Sequence, residues 1–261
     1  MAQIRMDVVE DNIALITIDN EPKRNAFSGD MAGQLRARLD DVERTSSLRC
    51  VVVTGAGDKA FSSGHDVAQI RENPDEAADP QLNSAFYRPT SMRKPVIAAV
   101  NGAAYAAGFI LVLSCDLRIL APHAVLCAAG SRLGLPPIGG QVSRLPYLMP
   151  PGKAFEMLVT AEPMSAKEAL DIGFANRIAH EGRVVEEATA MARIIARNSP
   201  TIVEYIKQGV QLSLIEGLEA GARFEWETAA RLLKNSPDAE EGMRAFLEKR
   251  SPRYKDARPV P

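Results

Sequence analysis

Apolar positions fall into two spacings along this chain. The run Ile13–Asp19 (IALITID) is apolar and β-branched between charged turns, which predicts a strand. Met31, Leu35, Leu39 and Val42 then repeat at helical spacing behind Ser28, a candidate N-cap. Residues 50–54 (CVVVT) predict a second buried strand, closed by Gly55-Ala56-Gly57, and a short loop leads into a helix over 66–72. Segment 72–80 is acidic and holds Pro74 and Pro80, the signature of a mobile surface loop. Val96–Val100 predicts a buried strand, Asn101-Gly102 a turn, and the alanine-rich apolar run behind it a buried helix. Residues 96–115 together have the length of a membrane span, but the turn at their first quarter favours strand-turn-helix inside a soluble core.

Past Pro151 the pattern changes. Helices are predicted over 154–160, 165–172, 184–197, 201–214, 218–234 and 237–249, after one more strand at 117–121. An α/β core with a C-terminal helical appendage follows. The 261 residues suffice for a full core, and 31 basic against 33 acidic residues leave a net charge of −2. Without a basic run, no nucleic-acid partner is expected. Cys50, Cys115 and Cys127 sit in or beside apolar runs without a CxxC pair, as reduced buried thiols do. The charged N-terminus lacks an export signal, so a cytoplasmic location is expected. His65, His123 and His180 are too scattered for a metal site, and none is expected.

Two stretches have the shape that chemistry needs. In Lys59-Ala60-Phe61-Ser62-Ser63-Gly64-His65-Asp66, a glycine turn opens a helix and leaves backbone N–H groups unpaired. Asn101-Gly102 running into Ala106-Ala107-Gly108 starts another helix with small residues that let a ligand approach. Two such donors aimed at one point suit a thioester carbonyl becoming an enolate. Each stretch, taken alone, also serves as a plain structural turn.

These same residues carry a resemblance. Phe61 to Asp66 resembles the AFxxGxD loop of the crotonase (enoyl-CoA hydratase/isomerase) superfamily. Val100-Asn101-Gly102 through Gly108 to Cys115-Asp116 is similar to its second motif without a gap. Pro22-Lys23-Arg24-Asn25-Ala26 resembles its first CoA-binding loop, and Gly242 to Arg250 its C-terminal signature. The SSGHD loop looks closest to the hydratase-domain-containing branch. The resemblance implies a spiral of ββα units over residues 1–195 and a C-terminal helical trimerisation region over 196–261. It implies an acyl-CoA substrate with no separate cofactor, and a homotrimer or dimer of trimers. The oxyanion donors carry over onto the N–H groups of His65 and Ala107. Arg24, Ala26, Lys59, Ser63 and Asp66 would line the CoA, while Phe246 and Lys249 would reach a CoA, that of a neighbouring subunit.

At the acid/base positions the chain departs from the family. The two hydratase glutamates fall on Ile110 and Gly130, the aspartate of dehalogenases and some isomerases on Ile138, and the decarboxylase tyrosine on Pro137. None of these can move a proton. His65 remains as the foremost polar candidate, able to hold a carboxylate or a water. Tyr105, Ser131 and Arg132 are weaker. An enzyme that stabilises an enolate with little acid/base help is therefore expected, against the alternative of a catalytically silent acyl-CoA-binding protein.

Overall fold

A computed structural model describes residues 2–73, 79–81 and 83–255. The chain opens with β1 (Gln3–Glu10) antiparallel to β2 (Ile13–Asp19), Gln3 facing Asp19 across the pair. β1 keeps only Ile4 buried, so its sequence carries little apolar signal. Helix α1 (Met31–Arg44) buries the stripe Met31, Leu35, Leu39 and Val42. Its N-cap is Asp30 rather than Ser28, and no side chain closes it. The Ser28 hydroxyl instead turns toward the Met31 sulfur at 3.9 Å.

Next come β3 (Cys50–Gly55), β4 (Ala60–Ser62), α2 (Val67–Glu72), α3 (Ser84–Tyr87), β5 (Val96–Val100), β6 (Ala103–Tyr105) and α4 (Ala107–Ser114). They are followed by β7 (Leu117–Leu120), β8 (Val125–Cys127), α5 (Gly130–Leu133), α6 (Leu145–Leu148), α7 (Pro151–Thr160), β9 (Met164–Ser165), α8 (Ala166–Asp171) and β10 (Arg177–Ile178). The final helices are α9 (Val184–Ala196), α10 (Pro200–Glu216), α11 (Leu218–Asn235) and α12 (Pro237–Leu247). Residues 74–78, within the expected mobile loop, lie outside the described residues.

The strands form two sheets, one ordered β1-β2-β3-β5-β7-β10 and the other β4-β6-β8-β9. β2, β3, β5, β7 and β10 run parallel, as do β4, β6 and β8. Consecutive strands alternate between the sheets: β3 then β4, β5 then β6, β7 then β8. The chain therefore winds as a spiral with helices between its turns. Every residue of β3 and β5 is buried, as expected of a parallel sheet covered on both faces. Every residue of α4 is buried too. The segment 96–115 is thus divided among β5, β6 and α4, and among the described residues no helix is long and apolar enough to cross a membrane. The three cysteines are free and buried, and burial pushes the Cys50 and Cys115 thiols up to about 12, which leaves them inert.

Candidate active site

Three loops meet above β3 and β5, and two asparagines tie them. Asn25, fully buried, donates from Nδ2 to the carbonyls of Ala56 (2.9 Å) and Ala60 (2.7 Å) and accepts the Asn20 N–H at 3.0 Å. Asn101 donates to the Gly57 carbonyl at 2.8 Å and accepts the Gly55 N–H at 3.0 Å. Both amides hook the 55–60 turn, one from each side. Gly102 lies so near that a Cβ on it would stand 2.4 Å from the Lys59 carbonyl.

The SSGH turn rests on the 20–27 loop. The Ser62 hydroxyl donates to the Asn25 carbonyl (2.8 Å) and accepts the Gly64 N–H (3.1 Å), while the Ser63 N–H donates to the Arg24 carbonyl (3.0 Å). His65 pairs with Phe27 as a parallel bridge, in which Phe27 N–H donates to the Gly64 carbonyl and Asp66 N–H to the Phe27 carbonyl. In such a bridge the middle residue's own N–H points the other way, toward the start of α4. Gly64, at φ +93°, abuts that helix: a Cβ on it would lie 2.8 Å from the Ala106 Cβ and 3.1 Å from the Ala107 nitrogen. One residue on, a Cβ on Gly108 would lie 2.5 Å from the Ser62 carbonyl oxygen. Ala107 is the first residue of α4, so its N–H has no intrahelical acceptor. Among the described residues, neither the His65 nor the Ala107 N–H donates to another group.

A cavity of about 470 Å³ adjoins these turns, walled by Asn83, Tyr87, Ile138, Gly139, Arg144 and Tyr147. Asn83 links it to His65, whose Nε2 lies 2.8 Å from the Asn83 Oδ1. Gly139 links it to Ile110, because a Cβ on Gly139 would stand 2.5 Å from the Ile110 Cγ2. Burial holds the His65 imidazole below its ordinary range against the opposing pull of the Asn83 bond, which favours the neutral ring. Phe86 meets it edge-on at 5.1 Å between ring centres.

The remaining candidates are dispersed. Asp66 caps α2 by accepting the Ala68 N–H at 3.0 Å and pairs with Lys23 at 2.7 Å, which hold its carboxyl low. Arg24, in left-handed backbone at φ 53°, and Lys59 present exposed side chains, while Ser63 is half-buried and Ala26 buried. Ser131 donates to the Leu158 carbonyl at 2.6 Å and Arg132 pairs with Glu162 at 2.8 Å; both belong to local surface structure. Tyr105 is half-buried, and burial raises its phenol. Phe246, 82% exposed, and Lys249 stand on and just after α12, with no hydrogen bond to the loops.

Of the four positions that the motif spacing assigned to proton-transfer groups, Ile110 is buried against the cavity wall and Ile138 faces the cavity itself. Pro137 is half-buried, and Gly130 opens α5, where a Cβ would meet the Leu135 carbonyl oxygen at 2.6 Å. Asn83 escaped the sequence reading because it lies in no motif. Only its place shortly before the α3 turn set it apart, and that says nothing of His65.

The comparisons with known proteins agree with this architecture. The family described as enoyl-CoA hydratase/isomerase matches residues 9–257. Carnitinyl-CoA dehydratase of Salmonella arizonae is 34% identical over 245 residues, covering 92% of this chain and 94% of its own length. Short-chain-enoyl-CoA hydratase of Clostridium acetobutylicum is 32% identical over 244 residues, covering 92% and 93%. The crystal structure of enoyl-CoA hydratase from Bacillus anthracis superimposes with a TM-score of 0.91 at 30% identity, over 97% of this chain and 98% of that one. With matched sequence running from β1 into the C-terminal tail and the two-sheet spiral shared throughout, this chain belongs to the enoyl-CoA hydratase/isomerase family.

Proposed function

We propose that the protein is an enzyme acting on an acyl-CoA thioester, whose carbonyl oxygen lies between the N–H groups of His65 and Ala107. The carrying observation is that these two donors, on turns in direct contact, lack acceptors among the described residues, with a cavity large enough for a short acyl group one contact away through Asn83 and Gly139. Negative charge that develops on the oxygen as the thioester becomes an enolate is stabilised by donors already in place. Exposed Arg24 and Lys59 suit the anionic nucleotide end of CoA. Apolar Ile110 and the tight fit at Gly130, where the motif spacing assigns the hydratase glutamates, support a reaction that needs no carboxylate there. Loss of CO₂ from a thioester that carries its carboxylate on the α-carbon leaves the bonding electron pair there as the enolate, needs no base and suits this site best. A catalytically silent acyl-CoA binder would share the ligand and lack the turnover.

Binding is tested first. Free CoA and acyl-CoA should both raise the melting temperature, since a ligand of the folded state stabilises it by mass action. No shift at millimolar acyl-CoA overturns the ligand assignment. A turnover screen over enoyl-, malonyl-, methylmalonyl- and β-ketoacyl-CoA then separates enzyme from silent binder. Crotonyl-CoA hydration should fall several orders of magnitude below the ~10 s⁻¹ median of enzymes, because each missing general acid or base costs about 10²–10⁴-fold. An ordinary hydration rate would show that the proton-transfer groups lie elsewhere than positions 110 and 130.

A further inference from the structure

Among the described residues, the His65 ring has a hydrogen-bond partner at one nitrogen only. Asn83, 3% exposed at the start of α3, donates from Nδ2 to the Asp79 carbonyl at 2.9 Å. With its nitrogen committed there, the amide turns its oxygen to the ring, 2.8 Å from Nε2. An amide oxygen can only accept, so in the neutral imidazole the proton sits on Nε2 and Nδ1 keeps a bare lone pair. Among the described residues, Nδ1 has no partner. The Phe86 edge meets the ring nearly perpendicular, at 89°, and restricts its rotation.

We propose that Asn83 is a positioning residue for the active site, holding His65 in the Nε2–H tautomer so that Nδ1 accepts a hydrogen bond from a water or hydroxyl at the acyl end of the substrate. This rests on the acyl-CoA reading above, because the same residue supplies one of the two N–H groups for the thioester oxygen. Asn83 also walls the cavity, so a ligand that fills the cavity meets the residue that sets the ring. Neither Asn83 nor the tautomer follows from the motif that contains His65.

Long-range ¹H–¹⁵N correlation on the intact, ligand-free protein reads the tautomer directly, with His123 and His180 assigned by substitution. A protonated Nε2 and an unprotonated Nδ1 at near-neutral pH are expected for His65. Asn83→Ala should average the two nitrogen signals and lower kcat roughly 10–100-fold, as loss of an orienting partner does, with a smaller change in KM. Asn83→Asp keeps an acceptor and therefore the tautomer, but its charge favours the imidazolium, so the acidic limb of the pH–rate profile should move to higher pH. An Nδ1-protonated ring in the unmodified protein overturns the proposal. So does an Asn83→Ala variant with unchanged ring signals and an unchanged rate. If Asn83→Ala does not fold, the unmodified protein and Asn83→Asp decide the matter. The ring is read without ligand, so failure of acyl-CoA binding would overturn the preceding reading and leave this measurement standing on its own.

Discussion

Ala106 sits at φ 49°, ψ −118°, backbone that glycine adopts freely and a Cβ resists. Its strain is of order 1–3 kcal/mol, and it lies one residue before the Ala107 N–H. Ala106→Gly should therefore stabilise the protein by about 1 kcal/mol in a urea titration. Gly64→Ala should do the reverse, losing about 1–3 kcal/mol at φ +93°. Its added methyl also pushes the His65 N–H off the Ala107 N–H, so turnover should fall further than stability. Glu204 poses a different residue-scale question. Burial raises its carboxyl against the pull of Arg93, whose Nη1 stands 3.7 Å away, with Glu43 adding repulsion and Lys94 attraction. One carboxylate oxygen is buried without a hydrogen bond. With the folded value raised, its stabilising contribution is full below the ordinary 4.5 and lost as pH rises toward the folded value. Glu204→Gln should thus stabilise the protein in a urea titration at pH 8 and change little at pH 4. An equal gain at both pH values would sink this account.

Elements depend on a few buried charges to fix how they dock. Helix α10 is fastened through Lys207, 7% exposed, whose ammonium donates to the carbonyls of Pro89 (2.9 Å) and Lys94 (2.8 Å) and to the Asp116 carboxylate (2.7 Å). Asp116 in turn accepts the Val96 N–H at 2.7 Å, so one ion pair joins α10, the start of β5 and the end of α4. Lys94 closes the C-terminus of α1 in the same way, donating to the Val42 and Thr45 carbonyls. Lys207→Ala leaves a largely buried carboxylate without its cation, and should cost about 3–5 kcal/mol. Calorimetry should show a melting temperature lower by several degrees. A loss below 1 kcal/mol would show that α10 docks by apolar contact alone.

On the scale of the whole molecule, the C-terminal helices leave much apolar surface uncovered. Leu218, Trp226, Leu233, Phe246 and Leu247 are each more than 70% exposed. Scattered apolar side chains are ordinary on a protein surface, but several large ones along α11 and α12 invite a covering partner. A second and third copy of the chain would bury them and bring Phe246 and Lys249 toward a neighbour's loops. Light scattering should give three or six times the 28.3 kDa of one chain. Trp226→Glu should shift that mass downward. A monomer at micromolar concentration would remove any cross-subunit role for Phe246 and Lys249.

Elements that depend on local pattern are legible in the residues alone. Met31, Leu35, Leu39 and Val42 fixed α1, uninterrupted apolar runs fixed β3 and β5, and the long periodic stretches after Pro151 fixed the last four helices nearly to their ends. Gly64 and Gly108 marked the two turns, since only glycine permits the approach to Ala106 and Ser62 found there. Tertiary structure decided what local pattern cannot encode. β4, β6 and β8 are three residues long, too short to show a period, and exist only because neighbouring turns of the spiral supply their hydrogen bonds. β6 accordingly displaced the helix expected directly after Asn101-Gly102. The His65–Asn83 bond spans 18 residues, and the cavity draws its wall from segments as distant as Pro80 and Ile215. Contacts between residues far apart in the chain arise from packing, and packing is settled only when the whole core closes.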